Sequence, residues 1–135
     1  MAGKWTNAGE NLIAEILGGS TTPPTKLYLG LYTSPSAEPG EDVEPDDLTE
    51  PSGNGYTRKE LDRGSWSIID DIMTYTQQTF TANGGAWGNV YGYFIATTDA
   101  GDSDEQIIAV EQFTDAPYNV QDQESVKVTP KLTIS

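Results

Sequence analysis

Short runs in which apolar and other residues alternate recur along this chain, separated by Gly- and Pro-rich turn signals. The clearest run spans residues 125–134, where Val126, Val128, Leu132 and Ile134 alternate with Lys and Thr. A period of two places successive side chains on opposite faces of a β-strand. Further strands are predicted at residues 26–33, 56–61, 66–69, 72–81, 87–98 and 106–113. The predicted fold class is therefore mainly β, an antiparallel β-sandwich or jelly-roll-like domain with one short N-terminal helix.

The 135 residues suit one domain, predicted to span residues 1–135. Its central strand is predicted in the run AWGNVYGYFIATT. Alternation there places Val90 and Phe94 on one face and Tyr91 and Tyr93 on the other. Gly88 and Gly92 leave gaps in which a large neighbouring ring or another backbone can approach closely.

The only predicted helix spans residues 7–18. Asn7 is expected to cap it, with Glu10 completing a capping box. Its apolar stripe consists of Leu12, Ile13, Ile16 and Leu17. A helix this short is not stable alone in water, so the stripe must dock. The surface it docks on is either its own β core, which is the simpler interpretation, or a neighbouring subunit or scaffold.

Residues 34–54 form an acidic loop with seven carboxylates and four prolines. A loop this long is uncommon in a compact domain and is generally functional or mobile. It is either a solvated excursion, the simpler interpretation, or a specific contact. It leads into the basic residues Arg58, Lys59 and Arg63, which predicts a salt-bridge network within the chain or between subunits.

The charge balance argues against several classes of partner. Twenty-one acidic and seven basic residues give a net charge of −14, which disfavours nucleic acid and anionic membranes. No apolar run reaches transmembrane length, and the first residues do not resemble a signal peptide. The chain has no Cys and no His, so it lacks the commonest catalytic and metal-binding side chains. No catalytic residue, cofactor or enzymatic activity is predicted.

Two clusters are candidate binding sites. Carboxylates of Asp99, Asp102, Asp104 and Glu105 could ligate calcium, but their spacing differs from that of an EF-hand, and a solvated loop tip is the simpler interpretation. The aromatic group Trp87, Tyr91 and Tyr93 would form a sugar-stacking platform if exposed. Otherwise it packs in the core or against a second subunit.

Five segments taken together carry a wider resemblance. They are TNAGENLIAEILGG, KLYLGLYT, EPSGNGYTRKEL, GGAWGNVYGYFIATT and APYNVQDQESVKVTPKLTIS. They resemble a family of small virion proteins of tailed bacteriophages, whose members are labelled tail fibre, head fibre or structural protein. The resemblance covers most of the chain and implies a structural role without catalysis.

The leading hypothesis is a capsid decoration (cement) protein on the outer surface of the head, made in the host cytoplasm. Its expected partners are copies of itself, as a homotrimer, and the major capsid protein. The alternative is a tail-associated adaptor or receptor-binding tail fibre protein, with tail proteins as partners. A third hypothesis is a calcium-dependent carbohydrate-binding or hydrolytic module. The expected assembly interface comprises Leu12, Ile13, Ile16, Leu17, Arg58, Lys59, Arg63, Trp87, Tyr91 and Tyr93.

Overall fold

Residues 3–134, the part of the chain that the computed structural model describes, contain twelve short strands and one α-helix. In chain order they are β1 (Lys4–Trp5), α1 (Asn7–Leu17), β2 (Lys26–Tyr32), β3 (Lys59–Asp62), β4 (Ser67–Ile69), β5 (Ile72–Thr74), β6 (Gln78–Thr81), β7 (Gly88–Val90), β8 (Gly92–Ala96), β9 (Ile107–Gln112), β10 (Tyr118–Val120), β11 (Ser125–Val128) and β12 (Lys131–Thr133). A single 3-10 turn, Pro45–Asp47, lies within the acidic loop.

Five strands form the main sheet in the order β1-β9-β8-β2-β3. Three smaller sheets have the orders β10-β7, β11-β6 and β12-β5-β4. All of these strand pairs are antiparallel. The predicted class, mainly β and antiparallel with one short N-terminal helix, is confirmed. Within residues 3–134, no helix has the length and apolar character needed to cross a bilayer.

One face of the main sheet packs against the smaller sheets and forms the larger part of the core. The buried side chains that meet there include Leu29, Leu31, Leu61, Tyr93 and Ile95 from the main sheet and Phe80, Val126, Val128 and Leu132 from the smaller sheets. The strands supply these side chains at alternate positions, as expected for one face of each strand. Sheet therefore packs on sheet across an apolar interior, the arrangement that the alternating sequence runs predict.

A break at Tyr91 separates β7 from β8 and shifts the alternation. The Tyr91 N–H donates to the carbonyl of Tyr32 at 2.9 Å. Val90 packs in the same cluster as Tyr93, whereas Tyr91 packs against the cluster that contains Phe94. The predicted pairing of Val90 with Phe94 is therefore wrong, because one residue outside the ladder moves every later side chain to the opposite face.

The close approach predicted at Gly92 is confirmed, whereas the one predicted at Gly88 is wrong, because no atom other than those of its chain neighbours would lie within 4 Å of a Cβ there. A Cβ on Gly92 would overlap the carbonyl oxygen of Glu111 and the ring of Tyr32. Pro130 lies between β11 and β12, so the predicted strand at residues 125–134 is interrupted there.

Helix α1 lies where it was predicted, but its cap is Thr6 and not Asn7. The Thr6 hydroxyl donates to the carbonyl of Ile107 at 2.5 Å and accepts from the Gly9 N–H at 2.9 Å. Asn7 is the first helical residue. A Cβ on Gly9 would overlap the carbonyl oxygen of Ile108, so this glycine allows the helix to lie directly on β9.

The acidic loop covers the second face of the main sheet. Val43 is 6% exposed and packs in a cluster with Tyr32, Phe94 and Val110, and Leu48 packs against the same cluster. The loop is therefore a packed layer of the fold rather than a solvated excursion. Six of its seven carboxylates are exposed, and Glu50 is half-buried.

Candidate functional site

A buried guanidinium fixes the acidic loop to the sheet. Arg58 donates through Nε and Nη2 to the two carboxylate oxygens of Glu50, at 2.9 and 2.8 Å. Its Nη1 donates to the carbonyl of Thr98 at 2.9 Å and to the carboxylate of Glu105. The Arg58 side chain is 5% exposed, and its Cζ lies 5.0 Å from the centroid of the Phe94 ring. The predicted salt-bridge network thus exists within the chain and joins two acidic loops.

Tyr56 extends this cluster to the main sheet. Its hydroxyl donates to Glu50 Oε1 at 2.6 Å and accepts from the Leu31 N–H at 3.0 Å. Burial, together with the neighbouring Glu50 carboxylate, raises the pKa of Tyr56 above its ordinary value of 10. The neutral hydroxyl is therefore kept as a donor, and the cluster is organised to hold loops in place.

The predicted calcium ligands do not converge on one point. Glu105 is paired with Arg58. Asp99 accepts from the Ala100 N–H at 2.8 Å, and Asp102 accepts from the Asp104 N–H at 2.8 Å. No group of three or more acidic, His or Cys side chains in residues 3–134 is placed to hold a metal ion. Asp99 and Asp102 instead accept local hydrogen bonds that stabilise turns.

The predicted aromatic platform is divided between the two faces of the main sheet. Tyr93 is 2% exposed and lies in the core, so it has no surface to offer a partner. Trp87 packs edge-on against Tyr56, with ring centroids 5.5 Å apart, and Tyr91 packs against the opposite cluster. Lys59, another predicted interface residue, lies with its ammonium 5.4 Å from the Phe80 ring.

The stripe of helix α1 docks on its own chain but leaves an open apolar groove of about 340 Å³. Leu12, Ile13 and Ile16 form one wall. The other walls include Trp5, Pro23, Leu27, Trp66, Met73 and Ile134. The last stripe residue, Leu17, lies outside the groove and is 83% exposed. The sequence thus predicted these four residues as one surface, and the structure separates Leu17 from the rest.

The charged residues at this groove are both basic. They are Lys26, whose ammonium is paired with the carboxylate of Glu60, and Arg63. In the described part of the chain, Arg63 has no carboxylate within ion-pair distance. In the same part of the chain, Lys59, Lys127 and Lys131 also have no carboxylate within ion-pair distance, so Arg63 differs from them by lining the apolar groove.

A second apolar surface was missed in the sequence. The β4–β5 hairpin exposes Ile68 and Ile69, each 68% accessible, beside the turn at Asp70 and Asp71. Strand β4 lies at the edge of its sheet. The available signal was the absence of alternation in SIIDDI, where isoleucines occupy both faces of a strand too short to bury both.

A buried carboxylate was also missed. Glu111 is 6% exposed in β9, and its burial raises the pKa of this carboxyl above its ordinary value of 4.5. The surrounding sequence, IIAVEQ, predicts a strand with apolar side chains in the interior. Nothing in it shows that the glutamate side chain is buried as well.

The family model described as "Podophage GP4 fiber I protein gp80" matches residues 4–129. The chain belongs to this family. The resemblance to phage virion structural proteins is thereby confirmed, since the gp80 fibre family is one of them. No curated protein matches the chain.

Proposed function

We propose that this chain is a non-catalytic structural subunit of a podophage fibre. The observation that carries the proposal is the match of a fibre-protein family model over residues 4–129, nearly the whole chain. A structural subunit works through surfaces that bind other subunits. The open apolar groove and the exposed hairpin isoleucines supply two such surfaces.

The geometry of the charged groups supports a structural role. Arg58, Glu50 and Glu105 are engaged with one another. The carboxylates of Asp99 and Asp102 accept hydrogen bonds from nearby backbone N–H groups. Because these groups are already used by the fold, the charge clusters that the sequence offered for binding or hydrolysis serve to hold loops in place.

Decoration of the capsid exterior is the second candidate, with the major capsid protein as partner. The dimensions of the elements favour it, because helix α1 has 11 residues, a length of about 16 Å, and β2 has seven. Residues 3–134 thus contain no long shaft-forming element. The exposed carboxylates over one face of the sheet also suit an exterior layer that must not adhere to DNA.

Purified virions distinguish these placements. Quantitative mass spectrometry would give the copy number per particle with the major capsid protein as internal standard, and immunogold labelling would give the location. A fibre subunit is expected in a small number of copies confined to fibres, whereas a decoration protein is expected in hundreds over the head. Absence of the chain from virions would overturn both.

A further inference from the structure

The tip of the β4–β5 hairpin combines apolar and acidic groups in a small exposed area. Ile68 and Ile69 are each 68% accessible, and the turn that follows them consists of Asp70 and Asp71, both exposed. Two large apolar side chains beside two carboxylates are a surface suited to an apolar site with a basic rim.

The groove beside helix α1 has those properties. Its walls are apolar, its volume is about 340 Å³, and its charged wall residues are Lys26 and Arg63. Because Lys26 is paired with Glu60, Arg63 is the positive charge that remains open to an incoming group. The chain therefore carries both an apolar, acidic projection and an apolar, basic recess.

We propose that the hairpin tip of one copy inserts Ile68 and Ile69 into the helix α1 groove of a second copy, with Asp71 facing Arg63. This contact between copies does not depend on where in the virion the chain resides. It assigns a specific self-association surface in which the carboxylates of one copy meet the guanidinium of the next.

The hairpin does not fill the groove of its own chain. Met73 forms part of the groove wall, and Ile68 lies directly opposite Met73 in the hairpin ladder. Neither Ile68 nor Ile69 lines the groove, however, and both isoleucines remain exposed in a single copy. A recess and a projection placed next to each other on one subunit allow contacts between copies that close on themselves.

The apolar half of the contact is tested by sedimentation velocity of the full chain across a range of concentrations. Ile68→Ser combined with Ile69→Ser is expected to weaken association by at least about tenfold, because two side chains lose their buried environment. Leu17→Ser is the matched control. It removes a more exposed apolar side chain that lies outside the groove, so it is expected to leave association unchanged.

The charged half is tested by exchanging the two charges. Arg63→Glu alone and Asp71→Arg alone are each expected to weaken association by about threefold to tenfold, because each places like charges opposite one another. The double variant, with both substitutions in one chain, restores the pair in reverse and is expected to recover association. Both residues are exposed, and circular dichroism with urea unfolding would verify that each variant is folded.

Three results would overturn the proposal. They are a wild-type chain that stays monomeric at the highest concentration, association unaffected by the two serines, and a double charge variant as weak as its single parents. A monomeric chain that captures a different virion protein through the groove would also count against it. None of these results bears on virion incorporation, which is measured separately by copy number.

Discussion

The acidic loop at residues 34–54 and the hairpin at residues 67–74 are each buried to a degree opposite to the one that their compositions predict. The loop carries seven carboxylates, yet it lies on the main sheet with Val43 only 6% exposed. The hairpin contains three isoleucines and a methionine, yet Ile68 and Ile69 are both 68% accessible. A polar segment is packed, and an apolar one projects from the surface.

The difference in burial is explained by the part of the fold against which each segment can pack. The loop lies on one face of the five-stranded sheet, where Val43 and Leu48 pack and the Glu50–Arg58 pair and several hydrogen bonds hold it. The hairpin belongs to a three-stranded sheet in which β4 is the edge, so its outer side chains meet no further strand. Burial is thus decided by topology and a few anchoring side chains, rather than by the mean composition of a segment.

The largest expected effect comes from removing the central cation of the loop. Arg58→Met should destabilise the fold by about 3 kcal/mol, because Glu50 and Glu105 would remain in a largely buried site without their partner. Arg63→Met, at an exposed residue, is the control and should change the free energy of unfolding by less than about 0.5 kcal/mol. Urea unfolding of both variants measures the difference. Equal effects would show that the loop is not anchored by Arg58.

The loop and the hairpin should differ most clearly in how much stability is lost when an apolar side chain is truncated. Val43→Ala should cost about 2 kcal/mol, because it removes buried methyl groups and leaves a cavity. Ile69→Ala removes more atoms but should cost less than about 0.5 kcal/mol in the monomer, since the side chain is exposed. Thermal unfolding at low protein concentration would rank them, and the reverse order would contradict the packing described for both segments.

A smaller loss is expected where the loop is hydrogen-bonded to the sheet. Tyr56→Phe should cost about 1 kcal/mol, because Glu50 loses a donor and the Leu31 N–H loses an acceptor. Tyr118→Phe alters a partly exposed ring and serves as the matched control. If both variants unfold at the same urea concentration, the Tyr56 hydroxyl does not contribute to loop attachment.

The smallest expected effect concerns Glu111, whose carboxylate is buried in β9 and is not paired with Arg58. Because burial raises the pKa of Glu111, its protonated form is the one that the fold favours. The contribution of Glu111 to folding stability is therefore fully present below the ordinary pKa of 4.5 and is lost as the pH rises through the raised pKa. Glu111→Gln should accordingly increase the melting temperature at pH 7 and leave it unchanged near pH 4.

Glu50→Gln provides the contrast to that variant, since it removes the charge paired with Arg58 and should destabilise at pH 7. A stabilising Glu50→Gln or a destabilising Glu111→Gln at pH 7 would mean that the two carboxylates have the opposite roles.

Much of the fold could be predicted because its signals are local. Alternation gave most of the strands, although the predicted strand at residues 72–81 is divided into β5 and β6 and β10 was not predicted. The stripe from Leu12 to Leu17 gave the helix. The cap was mistaken because Thr6 is selected by its bond to the Ile107 carbonyl, which is about 100 positions away in sequence. The faces of residues 87–98 were exchanged because the break at Tyr91 depends on its backbone bond to Tyr32.

The site was less predictable than the fold for the same reason. Arg58 and Glu50 were recognised as neighbours in sequence, but the participation of Glu105, 47 residues from Arg58, depends on tertiary structure. The groove required knowing that Trp66 and Met73 face Ile13 across space. Solvent exposure of Ile68 and Ile69 could be judged only once β4 was known to be an edge strand.

The contact between β1 and β12 has a consequence for synthesis. The Gly3 N–H donates to the Lys131 carbonyl at 2.6 Å, and the Trp5 indole donates to the Thr133 carbonyl at 3.0 Å. A nascent chain cannot form both of these bonds until residue 133 has left the ribosome. Strand β1 therefore lacks its β12 partners during translation. Joining partners 128 positions apart also carries a loop-closure penalty that makes the native topology a slow one to reach.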